Sequence, residues 1–165
     1  MVIWPPLEVR NLERKLDELI ALTDDRRDVT EEIRAWLARL LVVRACGYLE
    51  QTVVETFRAY VREKSYGTVR SFAHSYLERS KNPSIANLDE QLGRFDADLQ
   101  ADFKALLEAD DQRLSREISF LVDRRHKIAH GLNEGITPVR AIKLATSPFT
   151  VGRTDEVALV SALIA

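Results

Sequence analysis

From Glu31 to Lys64 the chain carries no proline, and apolar residues recur at helical spacing: Ile33, Trp36, Leu37, Leu40, Leu41, Val43, Leu49, Val53, Phe57, Tyr60 and Val61. Thr30 stands where an N-cap hydroxyl is wanted, and Gly67 follows the end. At about 1.5 Å per residue such a helix is roughly 50 Å long, more than one layer of a small domain requires. The pattern therefore predicts a fold built on a single spine, or a face shared with a second copy. Gly47 interrupts that spine, where glycine costs about 1 kcal/mol relative to alanine. It marks either close approach of another backbone or simple tolerance.

The rest of the chain reads as shorter helices. Pro5 and Pro6 suit a helix entry, followed by Leu12, Leu16, Leu19 and Ile20 up to a break at Thr23-Asp24-Asp25. Val69, Phe72, Tyr76 and Leu77 mark another helix, and Ser80 to Ser84 is the clearest loop. Asn87 with Glu90 fits a capping box for a segment carrying Leu88, Leu92 and Phe95, and Gly93 is placed to divide it from Leu99, Phe103, Leu106 and Leu107. Asp110 or Asp111 can cap the next helix, which holds Leu114, Ile118, Leu121, Val122 and Ile128 and stops at Gly131. Thr137-Pro138 can start a last short helix, and Val157 to Ile164 form an apolar tail of ambiguous period. No stretch alternates as a strand does. The sum is an all-α helical bundle of about five to seven helices with one long central helix, in one domain over residues 1–165.

Composition narrows the class. A content of 45% hydrophobic and 30% charged residues belongs to an ordinary globular protein, and a net charge of −2 argues against coating nucleic acid by bulk charge. Cys46 is the sole cysteine, so no internal disulfide exists, and its apolar neighbours Val42, Val43, Ala45 and Leu49 mark it as a small core residue. The start, Met1-Val2-Ile3-Trp4-Pro5-Pro6, has neither a basic region nor a sustained apolar run, and no stretch reaches membrane-spanning length. A cytoplasmic setting with no membrane partner is expected. His74 has no cysteine or second histidine at ligand spacing and reads as a surface or packing residue.

The chemistry gathers at Leu121-Val122-Asp123-Arg124-Arg125-His126-Lys127-Ile128-Ala129-His130-Gly131, the last turns of a helix. Four residues apart, His126 and His130 share one helical face. Arg125 lies five residues before His130, roughly 140° round the helix, so one helix does not easily aim both at one atom. An imidazole, with its ordinary pKa of about 6.5, takes or gives a proton near neutrality, and a guanidinium stays charged and matches phosphate oxygens. Together they suit cleavage of a phosphodiester. RNA carries its own nucleophile, the 2′-hydroxyl, so the enzyme need supply only a base, charge stabilisation at phosphorus and an acid. Asp123 is seven residues before His130, and one carboxylate beside two histidines makes a poor metal set; neither a metal nor another cofactor is expected. The bland alternative is a histidine at a helix C-terminus for stability alone, where its protonated form gains roughly 0.3–1 kcal/mol from the dipole.

The run Phe120 to Gly131 resembles the signature of the HEPN superfamily, in which an arginine, a polar residue, a short spacer and a histidine end a helix. It is most similar to the RiboL-PSP-type HEPN group, where arginine, asparagine or histidine, any residue, isoleucine, alanine, histidine and glycine recur after an apolar helix. Gly47-Tyr48-Leu49-Glu50 also resembles the group's upstream spine, and the similarity covers about residues 30–135. The resemblance implies an all-α domain that forms a homodimer, brings two signature helices together and cleaves RNA in a shared, metal-independent site. It implies that Arg125 stabilises the scissile phosphate, that His130 acts as general base or acid, and that His126 is the polar residue after the arginine. Arg124 falls within the permitted spacing, but Arg125 then occupies its polar position, so Arg125 is preferred. Arg124 and Lys127 are candidates for attracting RNA. Members controlled by a nucleotidyltransferase antitoxin carry a tyrosine two residues after the histidine; Leu132 stands there, so control by adenylylation at that position is not expected.

The leading expectation is thus an endoribonuclease, a toxin or antiviral-defence effector with a cognate antitoxin or defence partner. The rivals are a non-catalytic HEPN-fold module that binds RNA or protein, and a dimeric scaffold in which the histidines only cap carbonyls. An RNA substrate on an acidic protein calls for a local basic patch, drawn from Arg113, Arg116, Arg124, Arg125 and Lys127.

Overall fold

A computed structural model describes residues 6–25, 28–77, 83–132 and 135–146. Among them stand six helices and no strand: α1 (Leu7–Asp25), α2 (Glu31–Lys64), α3 (Gly67–Leu77), α4 (Ile85–Phe95), α5 (Ala97–Ala129) and α6 (Pro138–Ala145). The protein is an all-α bundle. The apolar tail Val157 to Ile164 and most of the Ser80–Ser84 loop lie outside the described residues.

Helix α2 is the spine, with the bounds that its sequence predicts. The Thr30 hydroxyl accepts from the Ile33 N–H at 3.4 Å, Glu31 and Glu32 occupy the positive end, and Arg62 and Lys64 the negative end. Its far end is closed by Ser65, whose hydroxyl and N–H both donate to the Val61 carbonyl, at 2.6 and 3.0 Å. Packed on α2 are α1, α3, α5 and α6, while α4 packs on α5. Leu41, Val42 and Cys46 of α2, Leu121 of α5 and Leu144 of α6 are almost wholly buried in one core. The aromatic Phe95 joins α4 to the spine by stacking on Phe57 with ring centroids 4.0 Å apart.

Two local expectations are corrected. The cap of α4 is Ser84, whose hydroxyl accepts from the Asn87 N–H at 3.3 Å; Asn87 is already inside the helix. Gly93 does not divide α4 from α5. That boundary is Asp96, whose carboxylate accepts from the N–H groups of Asp98 and Leu99 at 2.8 and 3.1 Å. Of the two readings of Gly47, simple tolerance fits, since a Cβ there meets nothing within 4 Å; a Cβ on Gly93 would fall 2.7 Å from the Gln100 side chain.

Helix α5 is two arms. Backbone dihedrals leave the helical region at Ala109 and pass through Asp110, Asp111 and Gln112 with φ of 50°, 52° and 60°. This is the place where a new helix was expected to start. Left-handed residues cost roughly 1–2 kcal/mol each, less for aspartate, and the turn is held by Arg113, whose Nε lies 2.7 Å from the Asp110 carboxylate, and by Arg116 donating to the Asp111 carbonyl. The second arm, residues 113–129, carries the signature back to the start of α2. Thr137 and Pro138 open α6 as predicted, with the Thr137 hydroxyl accepting from the Arg140 N–H at 3.3 Å. No described helix is long and apolar enough to cross a membrane.

Gly47 yields a direct test. With open space at its Cβ, Gly47→Ala should raise the unfolding free energy by about 1 kcal/mol in urea titration. A fall would show that another backbone sits against this point of the spine.

Candidate active site

The second arm of α5 is positioned by an inward stripe. Ile118 and Leu121 are buried, Leu114 and Ile128 pack against the core, and Arg125, four residues after Leu121, falls in the same register. Arg125 is therefore half-buried on the side of the helix that meets α2. It makes no hydrogen bond or ion pair among the described residues. Its charge reaches the Cys46 thiol of α2: burial pushes that thiol up to about 11, Arg125 opposes the rise and Glu50 adds to it. Cys46 stays protonated and buried, the small core residue that its neighbours suggest.

His126 and His130 lie about 100° and 140° round the helix from Arg125 and face solvent. Their rings touch edge to face with centroids 4.3 Å apart. His130 is the C-cap, with Gly131 beyond it at φ 72°. The Gly131 N–H donates to the Ile128 carbonyl and the Leu132 N–H to the Lys127 carbonyl, each at 3.0 Å, which together make a Schellman stop. This local closure fixes where the second imidazole stands. The structure therefore brings His126 and His130 together and sends Arg125 to another side, the separation that helix geometry predicts.

The basic patch expected along this helix does not form as drawn. Arg113 is paired with Asp110, Arg116 with the Asp111 carbonyl, and Lys127 with Asp123 at 3.2 Å. Arg124 Nε lies 3.9 Å from Asp123, and its guanidinium sits 4.8 Å from the Phe120 ring centroid. Arg140 of α6 covers the same ring at 4.9 Å, tying α6 to the signature helix. Among the described residues, no three of histidine, cysteine, aspartate and glutamate gather as a metal set would. His74 is a half-buried residue of α3, away from these groups in sequence and on another helix.

The site also has neighbours that the sequence reading placed elsewhere. Ile33, Trp36 and Leu40, counted as part of the apolar period of α2, are 47, 60 and 47% exposed, and Leu132 is 55% exposed. A groove of about 420 Å³ opens between Trp36, Arg39 and Glu32 of α2 and Ile128, Gly131 and Leu132 at the end of α5. Arg39 lies over the Trp36 ring at 4.8 Å. The clue was available in the sequence: apolar residues encircle the first half of α2 more widely than one core contact needs.

A family profile described as RiboL-PSP-HEPN matches residues 10–147, most of the chain and more than the stretch 30–135 on which the resemblance was read. No curated protein and no solved structure gives a match.

Two glycines beside the site should respond in opposite ways. Gly131→Ala forces alanine into the left-handed region and should cost about 1 kcal/mol, whereas Gly135→Ala has no positive φ and open space, and should be neutral or slightly stabilising. Thermal melts of the two variants measure the difference.

Proposed function

Since the chain belongs to the RiboL-PSP-HEPN family, we propose that it is a metal-independent endoribonuclease whose site is completed when two copies bring their α5 ends together. The observation that carries the reading is the exposed His126–His130 pair at the Gly131 stop, flanked by an uncovered apolar face. Ile33, Trp36, Leu40 and Leu132 leave large apolar surface in water beside two solvent-facing imidazoles, and a second copy seated there would bury it. It would also double the number of arginines and imidazoles at one place, which removes the difficulty that Arg125 and His130 of a single helix diverge.

In the proposed reaction one imidazole takes the proton of a ribose 2′-hydroxyl, and that oxygen attacks the adjacent phosphorus. The Arg125 guanidinium meets the charge that builds on the phosphoryl oxygens. A second imidazole protonates the departing 5′-oxygen, leaving a cyclic phosphate and a 5′-hydroxyl. His130, locked by the Schellman turn, is the general base or acid, and His126 is its companion. Uncontrolled RNA cleavage harms the cell that makes the enzyme, so a cytoplasmic toxin or antiviral effector restrained by an antitoxin or defence partner is part of the same reading.

One finding favours the protein-binding form of the second reading, a non-catalytic module that binds RNA or protein. Arg113, Arg116, Arg124 and Lys127 are engaged within the chain, so less positive charge faces a substrate than an enzyme acting broadly on RNA would use.

The test is cleavage of labelled single-stranded RNA in excess EDTA. Wild type should release cyclic-phosphate and 5′-hydroxyl ends, and His130→Ala and Arg125→Ala should each lower the rate by about 10²-fold or more. RNA bound but never cut by wild type would favour the module instead. Trp36→Glu places a charge on the apolar face; it should yield a folded monomer by sedimentation, with cleavage lost. A dimer that persists in this variant would remove the face from the interface.

A further inference from the structure

Helix α3 carries a second surface that the helix-end site does not use. Of its residues only Leu77 is buried, while Val69 and Phe72 are 65 and 75% exposed and Tyr76 is 38% exposed. These three lie within about 60° of one another on the outward face. Tyr66, just before the helix, is 78% exposed and extends the row. Leaving three aromatic rings in water is unfavourable unless something stacks on them.

The charge around these rings selects the occupant. The Arg70 guanidinium lies 5.0 Å from the Tyr66 ring centroid, and that of Arg94 lies 5.4 Å from Tyr76. Arg70 is held in place by donating to the carbonyls of Ser65, at 2.6 and 2.9 Å, and Arg62, at 2.8 Å, while Arg94 also pairs with Glu90 at 2.6 Å. From Lys64 through Leu77 the sequence contains Lys64, Arg70 and His74 and no aspartate or glutamate, in a protein that is acidic overall. Rings with guanidiniums beside them, that of Arg70 bonded only to backbone carbonyls and that of Arg94 shared with Glu90, offer π-faces to bases and positive charge to phosphates. An acidic peptide would leave the rings uncovered.

We infer that the face formed by Tyr66, Val69, Phe72 and Tyr76 with Arg70 and Arg94 is a stacking platform for single-stranded RNA. The inference rests on RNA being the ligand of this protein, as proposed above, but does not require that the protein cut it. Helix α2 separates the platform from the cleavage site: about 28 residues from Trp36 to Lys64 span roughly 40 Å. Only an RNA long enough to bridge that distance occupies both, so the platform selects long, unpaired substrates over short or duplex ones.

The experiment uses the full chain carrying His130→Ala, so that labelled RNA stays intact, and follows fluorescence anisotropy with a long unstructured single strand. Tyr66→Ala with Phe72→Ala should weaken binding by about five-fold or more for each ring removed, and Phe72→Tyr should retain it. Both side chains are exposed, so folding is not at stake. In the otherwise wild-type chain the double variant should slow cleavage of the long strand while a trinucleotide is cut at the normal rate. Unchanged affinity in the double variant overturns the inference, as does equal affinity for duplex RNA, or a change of oligomeric state with RNA affinity intact. Loss of binding in the double variant when wild type cuts nothing would leave the platform standing and remove the nuclease reading. Intact affinity with normal cleavage would do the reverse.

Discussion

The burial of one stripe of α5 against α2 decides where every chemically useful group stands. Ile118 and Leu121 must face the core, which rotates Arg125 inward with them and turns His126 and His130 outward. Replacing Leu121 by alanine would remove a side chain with no exposure at all, at a cost of about 2–5 kcal/mol, and would free the helix to roll. Helix geometry thus sets the angle between the imidazole pair and the guanidinium, and packing decides which of them faces inward. The Schellman stop at Gly131 then fixes the axial position of His130, so rotation and height of the second imidazole have distinct physical causes.

The same packing leaves α2 only partly covered. Neighbouring helices bury Leu41, Val42, Ala45 and Cys46, but the row Ile33, Trp36 and Leu40 remains in water next to the end of α5. A spine roughly 50 Å long in a protein of 18.8 kDa has more apolar circumference than the other described helices cover. The surplus lies beside the histidines and not at random, which is why the proposed site and the proposed interface are one feature.

Much of this was legible in the residues. The limits of α2 follow from Thr30, an unbroken apolar period and the absence of proline, and the divergence of Arg125 from His130 follows from 3.6 residues per turn. The ion pairs that dissolve the basic patch were partly legible: Asp123 stands at helical pairing distance from Lys127, whereas Asp110 meets Arg113 across a left-handed turn that spacing does not report. Other features depend on contacts distant in sequence. Ser84 and Asn87 are both good caps, and spacing alone does not choose between them. Likewise Gly93 and Asp96 both suit a boundary after α4, and spacing alone does not choose Asp96. Nor does periodicity tell which part of a wide apolar face the chain itself covers, so it does not separate Trp36, which is exposed, from Leu41, which is buried.

The most direct measurement is specific cleavage activity as a function of protein concentration, followed alongside the monomer–dimer equilibrium by analytical ultracentrifugation. If the site is completed by two α5 ends, activity per chain falls on dilution in step with dissociation of the dimer. Activity per chain that stays constant into the monomeric range would contradict a shared site and require Arg125 and His130 of a single chain to meet.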